Sequence, residues 1–366
     1  MRVLSVNEAG GSNLGDHAIY QGIKALLLQK DCISVTQLQL SLLPSSGRVT
    51  SPKCGSIYSL AKSHRVLHFI FLHLRLLVYN FRRSNVVFKE VGSCDFVLFG
   101  GGSLIINNKC VFPVNLFIIS MICKLKAKKY GIAGVSARRI DSRIARFLIR
   151  RFMCGAEFVY VRDHSSIELC SNQYGISAKF MPDFALLVPP HNGARNSKHL
   201  AINIMGLQSH GFFSDTGKFD QYIESMIKFI EASVDYKVTI FTTGEDSDYG
   251  AAKYIFDYFG NKHGSDLRLV IPSDLDKLLD VYRDNRFIFG TRLHSAILGL
   301  GNGNEVICFD WDDKVSGFFK SLSVGDALVS EDDEFFNSLQ HAVSINRHDV
   351  REFDELLVKL TEGSYA

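Results

Sequence analysis

Phe287–Leu300 reads "FIFGTRLHSAILGL", an apolar strand that turns and continues as an apolar helix. An unbroken apolar run before a helix is the mark of a strand buried on both faces, as in a parallel sheet. The alternation recurs along the chain. "RVLSVN" runs into a Gly-rich turn and then "LGDHAIYQGIKALLLQK", whose Ile19, Ile23 and Leu26–Leu27 share one helical face. "CDFVLFGGGSLI" reads as a buried strand ending in a glycine turn, and "KKYGIAGVSA" and "AEFVYVRD" as further strands. "SRIARFLIRRFMCG" between them has the spacing of a basic amphipathic helix, "SSIELCSNQYG" that of a helix closed by Gly175, and "KFMPDFALLVPP" ends this half. "PPHNGARNSKH", Pro189 to His199, clusters turn formers and reads as a linker. Strand–helix alternation then restarts at "LAINIMG" and runs through "EVICFDW".

Strands alternating with helices imply an α/β protein with doubly wound, mostly parallel sheets. A length of 366 residues suits two such domains. The expected division is 1–190, 191–330, and a helical tail over 331–366 whose "DVREFDELLVKL" returns to the first domain.

The net charge of +3 conceals an asymmetry. Residues 1–199 hold 26 Lys/Arg against 10 Asp/Glu; the remainder holds 15 against 28. A basic half beside an acidic half points to different tasks, the basic one facing phosphates, an acidic polymer or an anionic membrane surface. The excess gathers in Ala61–Lys89 and Arg138–Arg151. Ala61–Lys89 mixes arginines such as Arg82 and Arg83 with apolar residues, and suits a half-buried helix with solvated basic ends or a membrane or glycan contact. No nucleic-acid motif frames it.

The eight cysteines include no C-x-x-C pair and mostly sit in apolar runs, as reduced buried thiols do. The N-terminus has no signal-peptide apolar core. "CVFPVNLFIISMIC" is too short to span a bilayer and reads as a buried helix. A cytoplasmic protein, peripheral at the inner face of the membrane, is expected.

In open α/β sheets ligands bind at the carboxyl ends of strands. Three such ends carry candidate chemistry. Gly10, Gly11 and Gly15 follow the first strand, and Gly100, Gly101, Gly102 and Ser103 another; glycines let a ligand approach the backbone. Neither turn is a complete phosphate motif, and no G-K-[ST] is present. Asn13 and Asp16 stand at a helix start, where capping alone would also account for them. The third end bears Arg292 and His294. A helix N-terminus with an arginine grips phosphate or carboxylate, and a histidine exchanges protons near neutral pH. Lys314, in "FDWDDK", brings a second cation.

These pieces, in order, resemble the polysaccharide pyruvyltransferases. "GSNLGDHAI" is similar to the family's glycine–Asn–Gly-Asp turn, "DFVLFGGGSL" to its strand and glycine turn, "YVRDHSSIEL" with Arg162 to its Arg-Asp helix entry, and "MPDFALLV" with Asp183 to its Pro-Asp segment. "TRLHSAILGLGNGNEVICFDWDDK" resembles its Arg-Leu-His signature, strand and lysine.

The resemblance implies a GT-B-like pair of Rossmann-like domains with the active site in the interdomain cleft. It implies transfer of the enolpyruvyl-derived unit of phosphoenolpyruvate to two sugar hydroxyls, giving a cyclic pyruvate ketal, without cofactor or metal. Arg292 and His294 match the residues that handle phosphoenolpyruvate, and Lys314 a recurring lysine; Asp16 is a candidate base. The acceptor is a sugar, in one version carried on a lipid diphosphate. Departures stand at Phe184, where a proline is usual, at the Ser136–Arg139 stretch in place of a Gly-Pro-like turn, at Glu305 and at Trp311. The competing readings are a GT-B nucleotide-sugar glycosyltransferase and a non-catalytic glycan- or membrane-binding module.

Overall fold

Strands β1 (Arg2–Asn7), β2 (Ser34–Gln39), β3 (Phe96–Ile105), β4 (Lys129–Ala137), β5 (Val159–Val161) and β6 (Lys179–Phe180) form one parallel sheet in the order β2-β1-β3-β4-β5-β6. A second parallel sheet has the order β12-β11-β10-β7-β8-β9, from β7 (Asn196–Asn203), β8 (Lys237–Phe241), β9 (Leu267–Val270), β10 (Asn285–Gly290), β11 (Glu305–Phe309) and β12 (Leu328–Val329). This computed structural model describes residues 1–40, 85–191, 193, 195–206, 216–244, 246–260, 266–330, 339, 341–345 and 350–362. Most of the basic Ala61–Lys89 stretch, Arg82 and Arg83 included, lies outside the described residues.

Each sheet reverses its winding once, between β1 and β3 and between β7 and β10. Those are the switch points where open α/β sheets leave a crevice. Central strands are apolar on both faces because helices cover both: β3 buries nine of its ten residues.

Two sequence expectations change. The "GGG" is not a turn after a strand. β3 runs through it to Ile105, with Gly101 at φ 74° and Gly102 at φ 72°, and its register against β4 shifts between Gly102 and Ile105. Positive φ is open to glycine, so the chain takes a bulge and resumes the ladder. β7 begins at Asn196, inside the stretch read as linker. "KFMPDFALLVPP" supplies the two residues of β6, followed by a 3-10 turn at Phe184–Leu187.

That turn joins the two halves. Helix Leu14–Leu27 lies against it at Gly22, where a Cβ would strike the Phe184 carbonyl; helix Leu293–Asn302 lies against it at Gly301, where a Cβ would strike that of Leu186. One apolar cluster runs through the junction, from Ile19 and Ile23 through Phe184 and Leu186 to Ile297 and Leu300. Helix Arg351–Glu362 adds Phe353, whose ring centroid is 5.7 Å from that of Phe184, and Lys359, whose ammonium sits over Phe158 and Tyr160.

The apolar run at Cys110–Cys123 forms helix Val111–Leu125, with Leu116, Ile119 and Cys123 buried and Met121 and Leu125 exposed. No helix among the described residues is long and apolar enough to cross a membrane. Cys94, Cys123, Cys170 and Cys308 are buried thiols, while Cys32 and Cys154 face solvent.

Candidate active site

The carboxyl ends of both sheets face one cavity of about 480 Å³, a usual size for a small-molecule site. The first sheet contributes Asn7 at the end of β1, Gly101–Ser103 in β3, Arg138 after β4 and Arg162 after β5. The second contributes Thr243 after β8, Arg292 and His294 after β10, and Trp311 and Lys314 after β11.

Asn13, Asp16, Gly101, Gly102, Ser103, Arg162, Arg292, His294 and Lys314 all line this cavity. Gly11, Gly15 and Asp183 do not. The Gly11 carbonyl accepts a bond from His17 Nε2 at 2.7 Å. Gly15 leaves room for His294, whose ring fills the space of the missing side chain. Asn13 caps its helix, its Oδ1 accepting from Gly15 N at 2.9 Å. The glycines of β3 serve packing as well: Cβ atoms at Gly100 and Gly101 would run into Ile23 and Ile19.

Asp183 lies fully buried under the floor. Its Oδ2 accepts from Arg162 Nη1 at 2.5 Å and its Oδ1 from Ala185 N at 2.9 Å. His294 Nε2 stands 3.8 Å from the same Oδ2 and makes no hydrogen bond among the described residues. Burial would push the Asp183 carboxyl up, but the facing His294 ring and Arg162 guanidinium outweigh it and hold it well below the usual carboxylate range. Arg162 also reaches Ser103 Oγ at 3.4 Å. The ionised carboxylate thus favours the imidazole tautomer with its proton on Nε2.

Arg292 was expected to fork onto a ligand. Its Nε and Nη2 instead donate to Asp248 Oδ2 and Oδ1, at 3.0 and 2.6 Å. Asp248 is fully buried, and its Oδ1 also accepts from Gly206 N at 2.7 Å. Arg292 N donates to Asn203 Oδ1 at 3.0 Å, fixing the turn to the end of β7. Arg138 pairs with Asp312 at 3.2 Å. Trp311 Nε1 donates to the Thr291 carbonyl at 2.6 Å, and Glu305, another departure, pairs with Arg286 at 2.6 Å.

Lys314 differs from the arginines. Among the described residues its ammonium makes no hydrogen bond or ion pair. Burial pushes it down to about 8, with Arg138 and Arg162 adding to the effect. A half-buried cation next to two others is a poor arrangement for the protein alone and a good one for a compact polyanion.

Sequence reasoning missed Asp248 and Arg138 as site residues. Arg138 follows a strand, so the strand-end rule marks it. Asp248 has no local signal, since its partner is 44 positions away. No cluster of three His, Cys, Asp or Glu among the described residues could hold a metal ion.

None of the curated proteins matches this sequence. Among solved structures, UDP-GlcNAc 2-epimerase from Neisseria meningitidis bound to UDP-GlcNAc is 11% identical with a TM-score of 0.53, covering 99% of this chain and 100% of that one. MnaA of S. aureus with UDP is 9% identical with a TM-score of 0.56 over 99% and 96%. UDP-GlcNAc 2-epimerase from Methanocaldococcus jannaschii is 11% identical with a TM-score of 0.54 over 99% and 100%. At these identities the likeness is one of fold: the GT-B-like pair of Rossmann-like domains. A family model described as polysaccharide pyruvyl transferase matches residues 13–313, taking in the helix of Asp16, the glycines of β3, Arg162, Asp183, Arg292 and His294. By that match the chain belongs to the polysaccharide pyruvyl transferase family, whose members are transferases acting on polysaccharide.

Proposed function

We propose that this protein moves the enolpyruvyl-derived unit of phosphoenolpyruvate onto two hydroxyls of one sugar, in a surface polysaccharide or its lipid-diphosphate-linked precursor. Lys314 carries the reading: a half-buried ammonium, without an ion pair among the described residues, beside Arg138 and Arg162, in a cavity at both switch points. Phosphoenolpyruvate puts a phosphate and a carboxylate on a three-carbon frame, and such a ligand relieves the crowding of cations that the free protein tolerates.

The chemistry follows from the walls of the cleft. A sugar hydroxyl attacks the central carbon while the methylene carbon takes a proton. His294, protonated on both ring nitrogens with Nε2–H turned to Asp183, delivers that proton from Nδ1 and is left as the Nε2–H imidazole. Asp16, on the opposite domain, accepts the hydroxyl proton. A second hydroxyl of the same sugar then displaces phosphate and closes the ketal, its proton restoring His294 while the proton on Asp16 leaves with the phosphate, so one phosphate leaves per ketal formed. Lys314, Arg138 and Arg162 hold the departing phosphate. Arg292 is held by Asp248 and so presents its turn and the His294 helix rather than a free fork. Work in the cytoplasm, at the inner membrane face, fits a lipid-linked acceptor.

The test is incubation with phosphoenolpyruvate and a panel of glycosides, following phosphate release and product mass. Acceptor-dependent phosphate release with ketal formation is expected. Incorporation from a labelled nucleotide sugar, with no phosphate released from phosphoenolpyruvate, would overturn the proposal in favour of a glycosyltransferase.

A further inference from the structure

Helix Arg143–Cys154, "RIARFLIRRFMC", buries Ala145, Ile149, Phe152 and Met153 and turns a second apolar set outward. Ile144 is 65% and Phe147 60% exposed, although both are large hydrophobics. Around them stand Arg143, Arg150 and Arg151, all exposed. None of the three makes an ion pair among the described residues, and the helix contains no acidic residue. The neighbouring helix Val111–Leu125 adds Met121 and Leu125, the latter 74% exposed, beside Lys124. Solvated arginines alone would need no phenyl ring held in water between them.

Position gives this face its meaning. Phe112 lines the cavity at the start of helix Val111–Leu125, and Arg138 lines it five residues before helix Arg143–Cys154. The face thus belongs to helices whose preceding or opening residues line the cavity.

We infer that this face docks the protein on a bilayer rich in anionic lipid, with Ile144 and Phe147 inserted at headgroup level and Arg143, Arg150 and Arg151 on the lipid phosphates. Charge complementarity selects the occupant. An apolar pair ringed by unpaired arginines suits an anionic interface, where each basic residue contributes roughly fivefold in partitioning and salt screens it. This adds a surface to the peripheral contact proposed above, and its test does not depend on pyruvyl transfer.

The experiment is co-sedimentation of the full chain with vesicles of equal parts phosphatidylglycerol and phosphatidylcholine, and with phosphatidylcholine alone. The parent should partition onto the anionic vesicles at low salt and much less at high salt. A triple variant, Phe147→Ser with Arg150→Gln and Arg151→Gln, should lose at least roughly tenfold, with unchanged thermal unfolding because all three side chains are exposed. Equal partitioning of parent and variant would overturn the assignment. So would a parent that ignores vesicles yet binds a soluble anionic polysaccharide.

Discussion

The imidazole of His294 occupies the place where Gly15 has no side chain. A Cβ at Gly15 would overlap Nδ1 and Cγ of the ring and the Cβ of His294. The glycine that looks like part of a ligand loop therefore makes room for a residue of the other domain. Gly15→Ala should leave helix Leu14–Leu27 intact, since alanine is the better helix former, and displace the ring. A fall in kcat of about a hundredfold is expected for a catalytic group misplaced by roughly 1 Å. The double variant with His294→Gly should be no worse than His294→Gly alone, because the clash then has no target. Additive losses in this cycle would separate the two residues.

His294→Gln keeps most of the volume at this contact and removes the exchangeable proton. Turnover should fall by roughly 10²–10⁴, with little change in thermal unfolding. Near-parent turnover by a folded variant would remove His294 from the chemistry.

Lys314 titrates near pH 8 in the free protein. Its cationic form, present below that pH, is the one a polyanion needs, so kcat/KM for phosphoenolpyruvate should fall as pH rises through about 8. Lys314→Met should abolish that limb and most of the activity. It should also stabilise the fold at neutral pH by about 1–2 kcal/mol, allowing for partial solvation, because a depressed lysine costs stability wherever it must stay charged. Denaturant unfolding at pH 7 checks the gain; a loss would mean that the ammonium has a partner.

Asp183 holds Arg162 in a fully buried pair. Asp183→Ala strands a buried guanidinium and should cost about 3–5 kcal/mol. The pH dependence has a definite sign. The folded carboxyl titrates below its unfolded value of about 3.9, so the stability it contributes is complete above that value and is lost as pH falls towards the folded one. Asp183→Asn should flatten this acid limb of the stability curve.

Arg292→Lys keeps one charge and loses the fork onto Asp248. Two bonds to a buried carboxylate are at stake, and a cost of about 2 kcal/mol in unfolding free energy is expected, with kcat/KM reduced because the His294 turn loosens. A variant of parent stability and activity would show the fork to be dispensable.

Much of this was legible in the chain. Several strands, β1, β3 and β10 among them, announce themselves as apolar runs leading into glycine, and the strand-end rule led to Arg162, Arg292, His294 and Lys314. β3 was cut short because three glycines read as a turn, and only the ladder shows the strand continuing past them. The roles of Gly15 and Asp248 were invisible for one reason: each is defined by a residue far along the chain. The carboxylate partner of Arg292 likewise leaves no local trace in the sequence.

The turn at Phe184–Leu187 has a mechanical consequence. It bears on helix Leu14–Leu27 at Gly22 and on helix Leu293–Asn302 at Gly301, about two turns beyond Asp16 and His294 respectively. The two catalytic candidates thus sit on lever arms of nearly equal length, roughly 9 and 10 Å, with a common fulcrum. Scissoring of the domains about that fulcrum by about 10° would swing each tip by roughly 1.7 Å, the scale on which proton transfer stops. Any rotation about that fulcrum would therefore move Asp16 and His294 together, so the separation of the two side chains is set by the packing at Gly22 and Gly301.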